Sequence, residues 1–460
     1  MTALNERQIQ IVRTLVETAP DKVVGSLRQA LADTAPATAL GGVRRLVEAE
    51  VADRTLRNMV LQPIAPMCVT PEADSQAMTF PPRVLGLIWR ALRETSPHVV
   101  EQLRNDVDDE SPPHTIIAAS DLLAKTAAAG LRAREVEGFR VAAELCDQAR
   151  PGGAEVIAAC LDMAHVVRRA IARLPDWLAH SGGETTAGAR LAFRDAVHIA
   201  EDAGSRFFQM LAAQLPHPWM VLRVISAVMD KPTERYMADS ELAGFAEDLM
   251  ADIDRGLNLI GGLKADDGVA AAKVAAQRVE LVVQQFMEIE TSLELAREHG
   301  WGLRVHKQRA SLAAVVEGRL RDAGRVAEEA LPMMAPRQRS RRSIPRFAEP
   351  PQPRAVERAT TMLSFAEALH GTANYGGFSA GRNKLIEGLG GYIDAYVDEA
   401  VDMIRTGEAE ELENAEAFLG VAGGFIQHLR GGKAGDLVRR RAHAALHPDQ
   451  PPRMEDWPLR

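Results

Sequence analysis

The sequence predicts an all-α protein, and three features of its composition support this prediction. Alanine, the strongest helix former, occupies 74 of the 460 positions. Aromatic residues make up 5% of the chain, which is too few for an all-β protein, because aromatic and β-branched residues populate sheet surfaces. Hydrophobic residues account for 46% and charged residues for 25%, a balance that permits a packed core and excludes a disordered chain.

Proline, glycine and charge patterns divide the chain into about three helical modules, built as bundles or stacked antiparallel hairpins. We expect an N-terminal module over 1–104, an acidic linker over 105–113, a central antiparallel bundle over 114–334, an arginine- and proline-rich linker over 335–354, a glycine-rich C-terminal module over 355–446 and an extended tail over 447–460. The five prolines of the second linker predict that it lacks regular structure.

The first module is predicted from apolar residues at helical spacing. Residues 5–33 should form two short helices separated by Pro20 and Asp21, and another helix should run from Leu40 to Leu61. Prolines punctuate residues 62–82, which we expect to form a loop. A helix should begin directly after this loop, because prolines suit the first turn of a helix.

The central module reads as consecutive amphipathic helices, with breaks at 151–153 and 181–183. Its last two apolar stripes, over 279–293 and 312–326, are the clearest. Gly300 lies between them and suits a left-handed helix cap. So short a connection predicts that these two helices are antiparallel neighbours.

Bulk properties exclude several classes of function. The net charge is -9, which leaves no overall positive field to attract nucleic acid. The sequence contains no run of about 18 apolar residues, the length that a membrane span requires. The cysteines Cys68, Cys146 and Cys160 fit no zinc spacing, so we expect buried, reduced thiols in a cytoplasmic protein. The excess of arginine (46) over lysine (8) is typical of a GC-rich genome, and on sequence grounds we assign it no chemical role.

The motif Gly377–Gly381 fits G-x-S-x-G, which makes Ser379 a candidate nucleophile. Serine hydrolases place this motif directly after a buried strand, whereas residues 371–376 are glycine-rich and polar. The same stretch lacks the lysine and hydroxyl residues of a phosphate-binding loop. We therefore favour a glycine-rich connection between two helices, without catalysis at Ser379.

A metal site is a second candidate. Carboxylate and imidazole side chains three residues apart occur at Asp162 and His165, at Asp195 and His198, and at Glu367 and His370. If the first two helices pack together, two aspartates and two histidines could converge on a metal ion. The favoured interpretation is a solvated helix face, on which Arg169 and Arg206 pair with nearby groups such as Asp202. We accordingly assign no metal, cofactor or catalytic residue.

The function that we expect is that of an intracellular helical adaptor or scaffold, which binds other proteins in grooves between helices and does not catalyse a reaction. We expect the partners to be other proteins, or further copies of this chain in a homo-oligomer. They could contact the basic segment Arg337, Arg339, Arg341, Arg342 and Arg346. Docking of this segment on the protein's own acidic surface is an open alternative. The rival function is a metal-binding helical-bundle enzyme that uses Asp162, His165, Asp195 and His198.

Overall fold

The computed structural model describes residues 5–35, 38–70, 78–179, 183–200, 202–334, 343–409 and 411–447. Within these ranges the chain is all-α, as the composition predicts. The strands found there are two residues long each, β1 at Met333–Met334 and β2 at Ile344–Pro345, and they pair antiparallel. The chain divides into two compact units, Met1–Lys231 (unit 1) and Pro232–Arg460 (unit 2).

Unit 1 contains twelve α-helices in its described residues. They are α1 Glu6–Thr18, α2 Asp21–Ala30, α3 Ala39–Val60, α4 Val84–Thr95, α5 Pro97–Asp108, α6 Pro113–Ala133, α7 Glu137–Ala149, α8 Gly153–Asp162, α9 Ala164–Ala179, α10 Gly183–Val197, α11 Ala203–Ala212 and α12 Val221–Met229. The helix pairs predicted on either side of Pro20 and of 151–153 are confirmed, as are the helices predicted over 40–61 and after Pro82.

Unit 2 contains nine α-helices in the residues that the structure describes, together with β1 and β2. The helices are α13 Glu234–Ala238, α14 Ala243–Gly262, α15 Gly268–Ser292, α16 Gly300–Ala330, α17 Pro353–Ala368, α18 Ala373–Gly376, α19 Ser379–Thr406, α20 Leu412–Arg430 and α21 Gly432–Leu446.

The predicted division into three modules is not confirmed. The boundary between the two units falls at 231/232, inside the range 114–334 that we expected to form one bundle. Residues before and after the acidic segment 105–113 belong to one unit, because α3, α4 and α5 pack on α6, and α4 also packs on α7. Residues before and after the basic segment 335–354 likewise share unit 2, because α17 packs on both α15 and α16.

The core of unit 1 begins with a small cluster under its first three helices. Val16 and Val24 bury against Val47 of α3, so α1 and α2 both lie on the same longer helix. Further along, residues of the predicted loop 62–82 itself enter the core, since Ile64, Met67 and Phe80 are almost completely buried. Part of that loop, 71–77, lies outside the described residues.

Arginine side chains close the C-terminal ends of several helices. Arg54 donates hydrogen bonds to the carbonyl oxygens of Val16 and Ala19 at the end of α1, both at 2.9 Å. Arg168 does the same for Met59 and Val60 at the end of α3, at 2.5 and 2.8 Å. A helix end leaves carbonyl groups unpaired, and one guanidinium offers several donors. Composition alone suggested no chemical role for the arginine excess; the structure shows one.

The helices around Gly300 depart from the prediction in detail. Gly300 has the expected positive φ of 58°, but it begins α16 instead of capping α15, which already ends at Ser292. A Cβ atom at Gly300 would lie 1.8 Å from Oε1 of Glu234. This buried carboxylate accepts hydrogen bonds from the amides of Trp301 (2.6 Å) and Gly302 (3.1 Å). Although α15 and α16 touch, α15 packs mainly on α14 and α17, whereas α16 packs mainly on α17 and equally on α14 and α19.

The described end of the basic segment is more ordered than its prolines predict. Ile344–Pro345 forms β2, and α17 begins at Pro353, a position that tolerates proline because the first helical amides need no partner. Between them, Phe347 is buried against the rings of Tyr396 and Phe418. The expectation of no regular structure over 335–354 is therefore wrong at this end.

Candidate functional site

A groove between α16 and α19 in unit 2 is the candidate site, and its volume of about 450 Å³ lies in the range typical of ligand sites. We call it the α16/α19 groove. Its lining residues recur every three to four positions on each helix, so that each set lies on one helical face. They are Glu317, Leu320, Arg321, Gly324 and Glu328 from α16, and Ala380, Gly381, Lys384, Leu385, Gly388 and Leu389 from α19.

Two glycines of α19 shape the groove in different ways. A Cβ atom on Gly381 would lie 2.7 Å from Cγ of Glu317, so glycine permits the close approach of the two helices at this point. A Cβ atom on Gly388 would meet no atom within 4 Å, so this position borders open space. Leu320 and Leu389 are buried beneath and give the groove an apolar floor.

The rim carries four charged side chains, two acidic and two basic. They are Glu317, Arg321, Glu328 and Lys384. Within the described parts of the chain, none of the four takes part in an ion pair. Glu328 adds to the effect of burial in raising the pKa of Tyr392, whose hydroxyl donates to the carbonyl of Leu331 at 2.6 Å. The rim thus carries two positive and two negative charges that form no ion pairs within the described residues.

A second cavity, of about 420 Å³, lies in unit 1 between α6, α8 and α11, and we call it the unit 1 cleft. Arg132 donates to Glu155 at 2.7 Å and to Asp162 at 2.8 Å, and Arg206 pairs with Asp202. The hydrogen bonds from Arg132 hold the pKa of Glu155 below its ordinary value. Each of these five side chains takes part in an ion pair within the cleft, and the buried Nε of Arg206 has no hydrogen-bond partner among the described residues.

Known proteins add no further information. Comparison with protein-family models, with curated proteins and with solved structures finds no match. No helix among the described residues combines the length and the hydrophobicity that crossing a membrane requires. Function must therefore be argued from the two cavities and the chemistry of their walls.

The predicted metal pairs do not converge. Asp162 binds Arg132, and the Nδ1 atom of His165 lies 3.1 Å from the carbonyl oxygen of Asp162, on its own helix. Across the described residues, no group of three or more histidine, cysteine or carboxylate side chains could hold a metal ion, so Asp195 and His198 do not complete a site with the first pair. The partner that the sequence argument missed, Arg132, is 30 residues from Asp162.

The third predicted pair also has another partner. Glu367 on α17 lies 2.7 Å from Nδ1 of His428 on α20, and this contact joins two helices that pack together. Glu367 therefore contacts the imidazole of His428 and not that of His370. Because His428 lies on another helix, spacing along one helix could not reveal this contact.

The structural context of Ser379 differs from that of a hydrolase nucleophile. Ser379 begins α19, and the short helix Ala373–Gly376 precedes it in place of a strand. Gly377 has a φ of 77° and makes the turn, while Gly376 leaves room for the buried ring of Phe378. This arrangement agrees with the favoured interpretation, a glycine-rich connection between helices. The residues that follow Ser379 instead line the α16/α19 groove.

The three cysteines are buried, as predicted, and none forms a disulfide. Burial raises the pKa of Cys146 and of Cys160 to about 12, so both thiols stay protonated near neutral pH. Burial likewise raises the pKa of Cys68. These three side chains therefore lack the lowered pKa that a reactive thiolate requires.

The predicted basic segment falls mostly outside the described residues, which include Arg346 but not Arg337, Arg339, Arg341 or Arg342. Arg346 is exposed beside Glu349 in a small cavity of about 210 Å³. The next arginine along the chain, Arg354, pairs with Asp266 of its own unit at 3.0 Å. The Arg354 side chain is 83% exposed, so this contact is a surface ion pair.

Proposed function

We propose that this protein is a helical adaptor, and that its α16/α19 groove binds an α-helix of a partner protein. The observation that supports the proposal is a floor of leucine and glycine surrounded by four charges that have no ion-pair partner among the described residues. Apolar grooves of this kind bind amphipathic helices, whose apolar residues recur every three to four positions.

The dimensions suit a short helix. The lining residues of α16 run from Glu317 to Glu328, which spans about 16 Å at 1.5 Å per residue, or three helical turns. An acidic residue lies at each end of this row, and basic residues lie between and opposite them, at Arg321 and Lys384. The partner helix should therefore carry a narrow apolar stripe of small and medium side chains, flanked by both acidic and basic residues.

Two glycine substitutions test this proposal as a matched pair. Gly388 and Gly391 both lie in α19, and a Cβ atom at either meets nothing within 4 Å, but only Gly388 lines the groove. Replacing either glycine with leucine favours the helix by a similar amount, about 1 kcal/mol. Gly388→Leu fills the groove, whereas Gly391→Leu leaves it open.

The experiment selects peptides from a displayed library of amphipathic helices on the full chain, and then measures their affinity by fluorescence anisotropy. We expect selected peptides to bind wild type and Gly391→Leu alike, and to bind Gly388→Leu at least about 10-fold more weakly, a loss of about 1.4 kcal/mol. The proposal fails if Gly388→Leu binds these peptides as tightly as wild type, or if selection enriches no helical peptide.

The alternative occupant of the groove is a second copy of this chain, which would make the protein a homo-oligomer. In that case the molecular mass of wild type in sedimentation should exceed that of Gly388→Leu.

The proposal also includes a cytoplasmic location, which the three unpaired thiols support, because structural disulfides form in oxidising compartments.

A further inference from the structure

Two histidines at the end of α21 lie one helical turn apart and face each other. The ring centroids of His443 and His447 are 5.0 Å apart, with 56° between the ring planes. The backbone amide of His447 donates to the carbonyl of His443 at 2.9 Å, so the last turn of the helix holds the pair together. Histidines at positions i and i+4 of a helix are a recognised metal-binding spacing, because both rings project from one face.

Within the described part of the chain, neither imidazole ring is held by a hydrogen bond. Nδ1 of His443 is buried and has no hydrogen-bond partner, and among the described residues neither imidazole makes a hydrogen bond. A buried ring nitrogen without a partner carries an energetic cost that a ligand can remove. No hydrogen bond has to break when either ring turns toward a cation.

Electrostatics at this helix end are mixed. Three arginines precede the pair, but Arg439 binds Asp436 and Arg441 binds Asp398, so carboxylates neutralise two of the three charges. Arg440, three residues before His443, has no ion pair in the described residues. The carbonyl groups at a helix C-terminus favour a cation, which opposes the effect of Arg440.

We propose that His443 and His447 form an exchangeable binding site for a late first-row divalent cation, with water in the remaining coordination positions. Imidazole suits copper, nickel and zinc, and copper(II) binds most tightly to nitrogen ligands in this series. Two protein ligands are fewer than the three or four of resident catalytic and structural zinc sites, so the metal should exchange with solution.

Titration of the full chain with copper(II), after removal of metals by chelator and dialysis, tests the site. The buried cysteines should not interfere, because their raised pKa keeps them protonated. We expect electron paramagnetic resonance to show nitrogen coupling to one bound copper ion, and calorimetry to show weaker binding of zinc(II) at the same site.

Three variants decide the outcome. His447 is exposed, so His447→Ala should leave the fold intact. The substitution should weaken copper binding by at least about 10-fold, because removing even a group that only hydrogen-bonds to a metal ligand weakens binding by that much. The control His306→Ala removes another exposed helical histidine and should leave the affinity unchanged. Arg440→Ala should tighten binding by removing a like charge. Equal affinity in wild type and His447→Ala, or an equal loss in His306→Ala, would overturn the proposal.

Discussion

The unit 1 cleft and the α16/α19 groove have similar volumes and a similar number of charged side chains, yet they use those charges differently. In the cleft, Arg132 and Arg206 bind three carboxylates of the same wall. In the groove, Arg321 and Lys384 stand beside two glutamates without forming ion pairs within the described residues. Charges that satisfy one another stabilise a fold, whereas unsatisfied charges around an apolar floor are available to a partner.

This comparison predicts that arginines of unit 1 contribute to stability in proportion to their burial, and that charges of the groove rim contribute almost nothing. Three substitutions test it, from the most buried side chain to the most exposed.

The largest effect is expected for Arg168, which is 8% exposed. Arg168→Met should lower the free energy of unfolding by about 3 kcal/mol, because it leaves Asp121 and two helix-end carbonyls without their donor. Urea denaturation gives the loss, and hydrogen exchange should place it at the end of α3. Arg173→Met, at an exposed position of the same helix, is the control, and an equal loss there would contradict this prediction.

Arg132→Ala should have a smaller effect, about 1 kcal/mol or less, because the side chain is 39% exposed and solvent screens its ion pairs. Since the folded protein lowers the pKa of Glu155, this contribution is present above the ordinary glutamate pKa, about 4.3, and is lost as the pH falls through the lowered value. Urea denaturation at pH 7 and pH 3 should therefore show the variant and wild type converging in acid. A difference that grows at low pH would refute the assignment.

Lys384→Glu should change the unfolding free energy least, by less than about 0.5 kcal/mol, since no ion pair is lost. Its effect should appear in binding, as an altered association rate for selected peptides that diminishes at high salt. Lys433→Glu changes the net charge equally at an exposed position outside the groove and serves as the control. If both variants alter the rate alike, the groove rim has no special role.

Much of the local structure could be predicted from the sequence, because helical spacing and breakers act over a few residues. The breaks at Pro20 and at 151–153 and the helix over 40–61 follow from such short-range signals. Packing over longer distances could not be predicted. Periodicity predicts that α15 and α16 are helices, but not that α17 is the main packing partner of both.

The candidate sites were harder to predict for the same reason. The spacing of Asp162 and His165 suggested a metal site, but Arg132 comes from a different helix and occupies the carboxylate. The groove did leave a signal in the sequence: Gly381 and Gly388 are seven residues apart and share a helix face with leucines. Of these two glycines, Gly381 belongs to the motif around Ser379 and Gly388 lies outside it, so the motif does not reveal their common helix face.

The arginine contact at the end of α3 has a consequence for the order in which unit 1 folds. The guanidinium of Arg168 reaches carbonyl groups 108 and 109 positions earlier in the chain. Contacts so distant in sequence form slowly, because a long loop must close before they contribute any stability. The last turn of α3 should therefore acquire its native protection only when α9 docks, much later than its own helical propensity would allow.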